Sequence, residues 1–329
     1  MNFDFLHPKE KIAEILRRIY TFGMTTTSGG NISLRDDEGN IWITPSAVDK
    51  GSLSAKDIVY ISKAGDAEGL HPPSSELPLH RAIYRARPDI RAIIHAHSPM
   101  LVAFSLIERV PDTQILPQAY HLCGKVGFAP YELPGSEALG DSIARAFKKG
   151  AHSVIMENHG TVVGGENLLK TFARFETLEF CAQIEAQASA IGQMNSLPEH
   201  QIDLFYQKAS DRLPEFEPEE AGEKELILRS KIIKILKRAY RQKLVISTFG
   251  TLSARLDDHS FIITPTNQDR YYMRREDLVL IKNGKREAGK LPSRSTMVHQ
   301  QIYRDHPEIS CIIFAQAPNA TAYAVAGRQ

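Results

Sequence analysis

His95-Ala96-His97 is the segment of this chain with the most chemical content. On a strand, alternate side chains leave the same face, so both imidazoles would project together. Two histidines on one face begin many metal sites, and they serve equally as hydrogen-bonded polar residues at a strand end. His159, in Asn158-His159-Gly160, falls between two predicted strands, where the glycine would permit a tight turn. A lone histidine there is more often structural than a ligand. Glu76 follows Ser74-Ser75 at a predicted helix start, where a carboxylate also suits the positive end of the helix dipole. A His-x-His, a distant His and a distant Glu match the donor set of a catalytic zinc site. Three neutral nitrogens would hold the ion, with the fourth position open to substrate or lent to the carboxylate. Gly29-Gly30-Asn31 and Ser74-Ser75 form a second group, whose backbone N–H groups and hydroxyls suit a phosphate or ordinary turn and cap chemistry. Neither segment fits a Walker loop or a dinucleotide fingerprint.

These residues need elements to position them. Ile12, Ile15, Leu16 and Ile19 recur at helical spacing and predict an amphipathic helix over 8–22. Short strands are expected over 31–34, 41–44 and 58–62, and a helix over 75–87 that stops before Pro88. A strand over 91–97 carries the two histidines, and helices follow over 99–106 and 136–149. Strands over 154–157 and 161–163 flank His159, and a long helix over 166–191 closes the unit. Helices interleaved with short strands indicate an α/β fold, a mixed sheet covered by helices.

The pattern then repeats. Ile12, Ile15, Leu16, Arg18 and Tyr20 recur as Ile232, Ile235, Leu236, Arg238 and Tyr240, and Ile43-Thr44-Pro45 as Ile263-Thr264-Pro265, all 220 positions on. After a one-residue slip, His80 matches His299 and Ile83-Tyr84-Arg85 matches Ile302-Tyr303-Arg304. This predicts a duplicated domain: a full copy over 1–195, a polar linker over 196–223 and a partial copy over 224–329. A short helix is expected near 200–210. Counterparts of residues from about 110 to 195 do not follow the second copy, which is read as a fragment or truncated gene product. The 329 residues carry 40 Lys+Arg against 39 Asp+Glu, a formal net charge of +1. That balance argues against nucleic acid or an anionic membrane as partner. Cys123, Cys181 and Cys311 form no CxxC pair, which fits a reducing cytoplasm better than a disulfide scaffold.

Ser28-Gly29-Gly30-Asn31-Ile32-Ser33, Ile43-Thr44-Pro45-Ser46, Pro73-Ser74-Ser75-Glu76, Ile94-His95-Ala96-His97 and Asn158-His159-Gly160 occur in that order. Over residues 8–192 the chain resembles the class II aldolase/adducin family. The resemblance implies a three-layer α/β/α fold around a largely antiparallel sheet. It implies Zn2+, or another divalent metal, on His95, His97 and His159. Glu76 would be the acid/base and a possible fourth ligand. The substrate phosphate would lie on Gly30, Asn31, Ser46, Ser74 and Ser75. The implied reaction is aldol cleavage of a ketose phosphate, such as L-fuculose 1-phosphate, by a cytoplasmic homo-oligomer. Pentulose-phosphate epimerisation, sugar-phosphate dehydration or decarboxylation, and a non-catalytic adducin-like interaction module are the alternatives. Family epimerases carry Asp where this chain has Glu76, which favours a lyase. Family aldolases carry Gly where this chain has Ala47. In the second copy Ser295, Phe314, Gln316 and Thr251 replace Glu76, His95, His97 and Asn31, so that copy is expected to hold no metal.

Overall fold

The computed structural model describes residues 3–207 and 213–327, in two compact units, Met1–Ser196 and Leu197–Gln329. The first unit runs α1 (Pro8–Thr21), β1 (Asn31–Arg35), β2 (Ile41–Ile43), β3 (Val59–Ile61), β4 (Ala67–Glu68), α2 (Leu77–Ala86) and β5 (Ala92–Ala96). It continues with α3 (Pro99–Leu106), α4 (Pro117–Cys123), β6 (Val126–Ala129), α5 (Glu137–Lys148), β7 (Ser153–Met156), β8 (Gly160–Gly165) and α6 (Leu168–Ile191). The strands form one eight-stranded sheet in the order β4-β3-β2-β1-β5-β8-β7-β6. Every pairing is antiparallel except β6 with β7.

Helices cover both faces, giving three layers. On one side α2 packs on α5, and α5 on β6 and β7; on the other, α1, α3 and α6 lie against the central strands. α1 begins with a capping box: Glu10 Oε2 accepts from the His7 N–H at 2.9 Å, and Pro8 fills a first-turn position that needs no donor. It then buries Ile12, Ile15, Leu16 and Ile19, each worth about 1.5–3 kcal/mol in removed apolar surface. The core beneath α2 and α5 joins Ile41, Ile43, Val59, Ile61, Ile83, Ile93, Ile143 and Phe147.

α4, β4 and β6 were not legible from periodicity. α4 has seven residues and stops at Gly124, whose φ is +63°; β6 carries a glycine and no alternation.

The second unit contains α7 (Glu199–Gln207), β9 (Glu215–Phe216), α8 (Glu223–Arg241), β10 (Thr251–Asp257), β11 (Ser260–Ile263), β12 (Val279–Lys282) and β13 (Lys285–Glu287). α9 (Thr296–Asp305), β14 (Cys311–Phe314) and α10 (Pro318–Val325) follow. Its sheet order, β14-β10-β11-β12-β13-β9, repeats β5-β1-β2-β3-β4 of the first unit. Thr251 pairs with Phe314 as Asn31 pairs with His95, so the two copies share one register. Among the described residues β14 pairs with β10 alone, leaving Ile313 52% exposed.

The stretch read as a linker is more ordered than its composition suggested. It holds α7, and β9 adds in parallel to β13, where Glu215 pairs with Arg286 at 2.5 Å. The acidic run thus meets a cation on the sheet edge. The helix expected over 200–210 is seen to Gln207, and the rest of that span lies outside the described residues.

Candidate metal centre

Strand register brings the first two donors together. Asn31 on β1 and Val162 on β8 both pair with His95 on β5. Cross-strand partners share a face, so Asn31 and His95 emerge side by side from mid-sheet. The same face carries Ser33, whose hydroxyl reaches His80 of α2, so this is the α2 side of the sheet. His97 follows the end of β5, His159 precedes β8, and Glu76 is the N-cap residue of α2. Glu76 makes no side-chain cap bond to its helix. Its carboxylate turns into the sheet face instead, so the helix-dipole reading does not describe it.

Glycines make room for this arrangement. A Cβ on Gly30, at φ +80°, would stand 2.7 Å from the His95 carbonyl oxygen, and one on Gly29 would stand 2.6 Å from His97 Nδ1. A Cβ on Gly160 would stand 2.8 Å from the Ala96 carbonyl oxygen. In the His159 turn the left-handed residue is Asn158, at φ +52°. Gly160 therefore serves close approach to β5 rather than the turn expected of it.

The three imidazoles and the carboxylate converge. The ring centroids of His95, His97 and His159 are 4.8–5.0 Å apart, and one ring nitrogen from each lies within 4.8 Å of the others. His95 Nε2 stands 3.0 Å from His97 Nε2 and 3.0 Å from Glu76 Oε2. Glu76 Oε1 lies 3.4 Å from His159 Nε2 and has no hydrogen-bond partner, although it is buried. His95 Nδ1 faces the Thr161 carbonyl oxygen at 2.9 Å, which leaves Nε2 for the centre. Three nitrogens bonded to one tetrahedral ion at about 2.0–2.1 Å stand about 3.3 Å from one another. The His95 and His97 nitrogens, 3.0 Å apart, are close to that spacing, and a His159 nitrogen lies within 4.8 Å of both, a donor set that fits a divalent cation.

A buried chain supports the carboxylate. Asn31 Nδ2 donates to Glu76 Oε2 at 2.7 Å, and Asn31 Oδ1 accepts from His80 Nε2 at 2.5 Å. His80 Nδ1 meets Ser33 Oγ at 2.6 Å, and Ser33 Oγ meets the Tyr84 hydroxyl at 2.7 Å. Burial drives His80 down to about 3, so it is neutral, and the acceptor Asn31 Oδ1 assigns its proton to Nε2.

Burial pushes the Glu76 carboxyl up, but His95, by charge and hydrogen bond, with His159 and Asn31, outweighs it and holds Glu76 ionised. Burial likewise carries His97 and His159 down to about 4, leaving both with free lone pairs.

The residues assigned to phosphate gather at one end of this centre. The Ser46 N–H donates to the Pro72 carbonyl at 3.1 Å and the Ser74 N–H to the Thr44 carbonyl at 3.1 Å, across the Pro45–Pro73 bridge. Ser74 is buried and Ser75 exposed, while Gly30 and Asn31 open β1 next to them. Asn31 is committed to Glu76 and His80 by both its polar atoms, which leaves one N–H for any further ligand. Ala47, beside Ser46, has φ +56°, a conformation that favours the glycine expected there.

Lys50 escaped the motif reading, because Asp49-Lys50-Gly51 reads as a surface turn. It is only 4% exposed, and its ammonium donates to the Pro45 carbonyl oxygen at 3.2 Å. The available signal was the repeat, which sets Lys50 opposite Arg270.

The second unit keeps the frame of this site and none of its ligands. Ser253, His299 and Tyr303 reproduce the Ser33–His80–Tyr84 chain at 2.7 Å per step. Phe314 stands where His95 would, its ring 4.4 Å from that of His299, and His299 Nε2 is buried without a partner.

A three-layer α/β unit in which three histidines and a carboxylate converge at the ends of β5, β8 and α2 is the fold of the class II aldolases. The chain belongs to the class II aldolase and adducin family: the model described as "Class II Aldolase and Adducin N-terminal domain" matches residues 10–186 and 230–329. It is 32% identical over 206 residues to a 5-deoxy-D-ribulose 1-phosphate aldolase of Bacillus thuringiensis serovar kurstaki, covering 61% of this chain and 94% of that protein. It is 35% identical over 167 residues to a 3-oxo-tetronate 4-phosphate decarboxylase of Pectobacterium atrosepticum, covering 49% of this chain and 76% of that one. A solved L-fuculose 1-phosphate aldolase is 32% identical with a TM-score of 0.56, covering 61% of this chain and 95% of that chain. Among the described residues no helix is long and apolar enough to cross a membrane.

Proposed function

We propose that the first unit catalyses zinc-dependent aldol cleavage of a ketose 1-phosphate to dihydroxyacetone phosphate and an aldehyde, with L-fuculose 1-phosphate as the example substrate. The observation that carries this reading is Glu76, a buried, ionised carboxylate beside the cluster of three imidazoles, whose Oε1 makes no hydrogen bond. His95, His97 and His159 would hold Zn2+ or another divalent metal, which when bound supplies Lewis-acid polarisation of the substrate carbonyl. Glu76 Oε1 moves the proton between the substrate hydroxyl and carbon as the C–C electron pair retreats toward the carbonyl. Asn31 holds Oε2, so that Oε1 is the working oxygen. Gly30, Asn31, Ser46, Ser74 and Ser75 would line the phosphate, with the remaining Asn31 amide N–H and the serine hydroxyls as donors, since the Ser46 and Ser74 N–H groups are held by Pro72 and Thr44. We read the second unit as a metal-free domain and the assembly as a homo-oligomer.

Decarboxylation of a 3-oxo-tetronate 4-phosphate is the second reading, favoured by the 35% identity to such an enzyme. Both reactions break a C–C bond beside a carbonyl and need the same centre.

The test is a coupled assay of dihydroxyacetone phosphate with L-fuculose 1-phosphate or 5-deoxy-D-ribulose 1-phosphate and zinc, beside an assay of CO2 release from 3-oxo-tetronate 4-phosphate. Glu76→Gln should lower kcat by roughly 10²–10⁴ while zinc stays bound. Failure to turn over any of the three substrates would overturn the proposal.

A further inference from the structure

We propose that Lys50 supplies the fixed positive charge of the phosphate pocket, an inference that rests on the sugar-phosphate reading above. A buried ammonium needs an anion or a full set of acceptors, because desolvation otherwise costs several kcal/mol. Lys50 is 4% exposed, yet its three N–H groups find one acceptor, the Pro45 carbonyl oxygen. Among the described residues no carboxylate forms an ion pair with it.

The second unit shows what a purely structural cation at this position looks like. Arg270, its counterpart, also donates its backbone N–H to the loop preceding the first strand, to Ser247 as Lys50 does to Thr27. Arg270 then spreads its guanidinium over the carbonyl oxygens of Phe249, Gly250, Pro265 and Gln268. The Arg270 site is satisfied by backbone, in a unit without metal ligands. The Lys50 site is not, in the unit that has them.

Location supplies the second argument. Pro45 precedes Ser46 and bridges to Pro73, which precedes Ser74. The Lys50 backbone is tied to Thr27, just ahead of Gly29-Gly30-Asn31. The ammonium thus sits against the segment that carries Ser46, and its backbone against the one that leads into Gly30. A phosphate seated on those N–H and O–H donors is dianionic near neutral pH. It would balance the Lys50 ammonium, which Asp49 influences by charge but which no carboxylate pairs with among the described residues.

The experiment titrates the zinc-loaded full chain with inorganic phosphate, and with acetate at equal ionic strength, by calorimetry, and measures KM for the sugar phosphate that wild type turns over. Lys50→Gln keeps a donor for Pro45 and removes the charge; Lys50→Arg keeps the charge. Wild type should prefer phosphate to acetate. Lys50→Gln should weaken phosphate binding, and raise KM, by about tenfold or more, while Lys50→Arg stays within about threefold of wild type, all with unchanged zinc content. A Lys50→Gln protein that binds phosphate as wild type does would overturn the proposal. So would loss of zinc in both Lys50→Gln and Lys50→Met, which would assign Lys50 to bracing the loop. Wild type turning over no sugar phosphate would instead sink the parent reading, so the two failures are distinguishable.

Discussion

His80→Leu is the perturbation that separates the support of Glu76 from the fold that surrounds it. The substitution removes the donor to Asn31 Oδ1 and the acceptor for Ser33 Oγ. Asn31 Oδ1, on a residue 4% exposed, is left buried without a donor, whereas Ser33 Oγ keeps the Tyr84 hydroxyl. One buried orphan costs about 1–3 kcal/mol, so the first unit should lose about that much. His299→Leu in the second unit orphans nothing, because Ser253 keeps the Tyr303 hydroxyl and His299 Nε2 has no partner to lose, and should cost only the net worth of one hydrogen bond, about 0.5–1.5 kcal/mol. Catalysis distinguishes the pair more sharply. Without His80 the Asn31 amide keeps only its bond to Glu76, so its orientation and the hold on Glu76 Oε2 loosen, and kcat should fall roughly 10–100-fold with zinc still bound. His299→Leu should leave kcat unchanged. Trp42, the single tryptophan, lies on β2, so its fluorescence in urea follows the first unit, while circular dichroism follows both. Equal kcat values for His80→Leu and wild type would refute the claim that His80 orients Asn31 and Glu76.

The remaining predictions are simpler. His80 has a folded pKa of about 3, below its unfolded value of 6.5, so the unfolded chain binds its proton first on acidification. Its contribution is therefore fully present above about pH 6.5 and is lost as pH falls toward 3, by up to about 5 kcal/mol; urea midpoints followed by Trp42 should fall more steeply with acid in wild type than in His80→Leu, where His97 and His159 still contribute. His95→Ala should abolish bound zinc by metal analysis, whereas Phe314→Ala at the matching position of the second unit should leave zinc content unchanged. Ala47→Gly removes a left-handed alanine costing about 1–2 kcal/mol, partly offset by about 0.4–1 kcal/mol of unfolded-chain entropy, so calorimetry should show a slightly raised Tm.

Local pattern carried much of the fold. α1 was legible because apolar residues recur at helical spacing, α2, α5 and α6 were read at nearly their observed bounds, and α3 runs over 99–106 as read. The short elements α4, β4 and β6 were not, because too few residues carry a period. The polar stretch between the copies misled for a related reason. Composition reports that a segment cannot form a core of its own, but not that a sheet edge nearby will accept it, as β13 accepts β9.

By itself the sequence determined the donors, the parity that puts His95 and His97 on one face, and the repeat whose second copy lacks those donors. These are properties of residue type and short spacing. Tertiary structure decided that Glu76 leaves its helix end for the sheet face, that Asn31 is committed to Glu76 and His80, and that Lys50 is buried rather than exposed. Each of these depends on contacts between residues far apart in the chain, set by the β1–β5–β8 register and the seating of α2. No local pattern encodes them, because the energy of a buried polar group depends on which distant partner the fold brings to it.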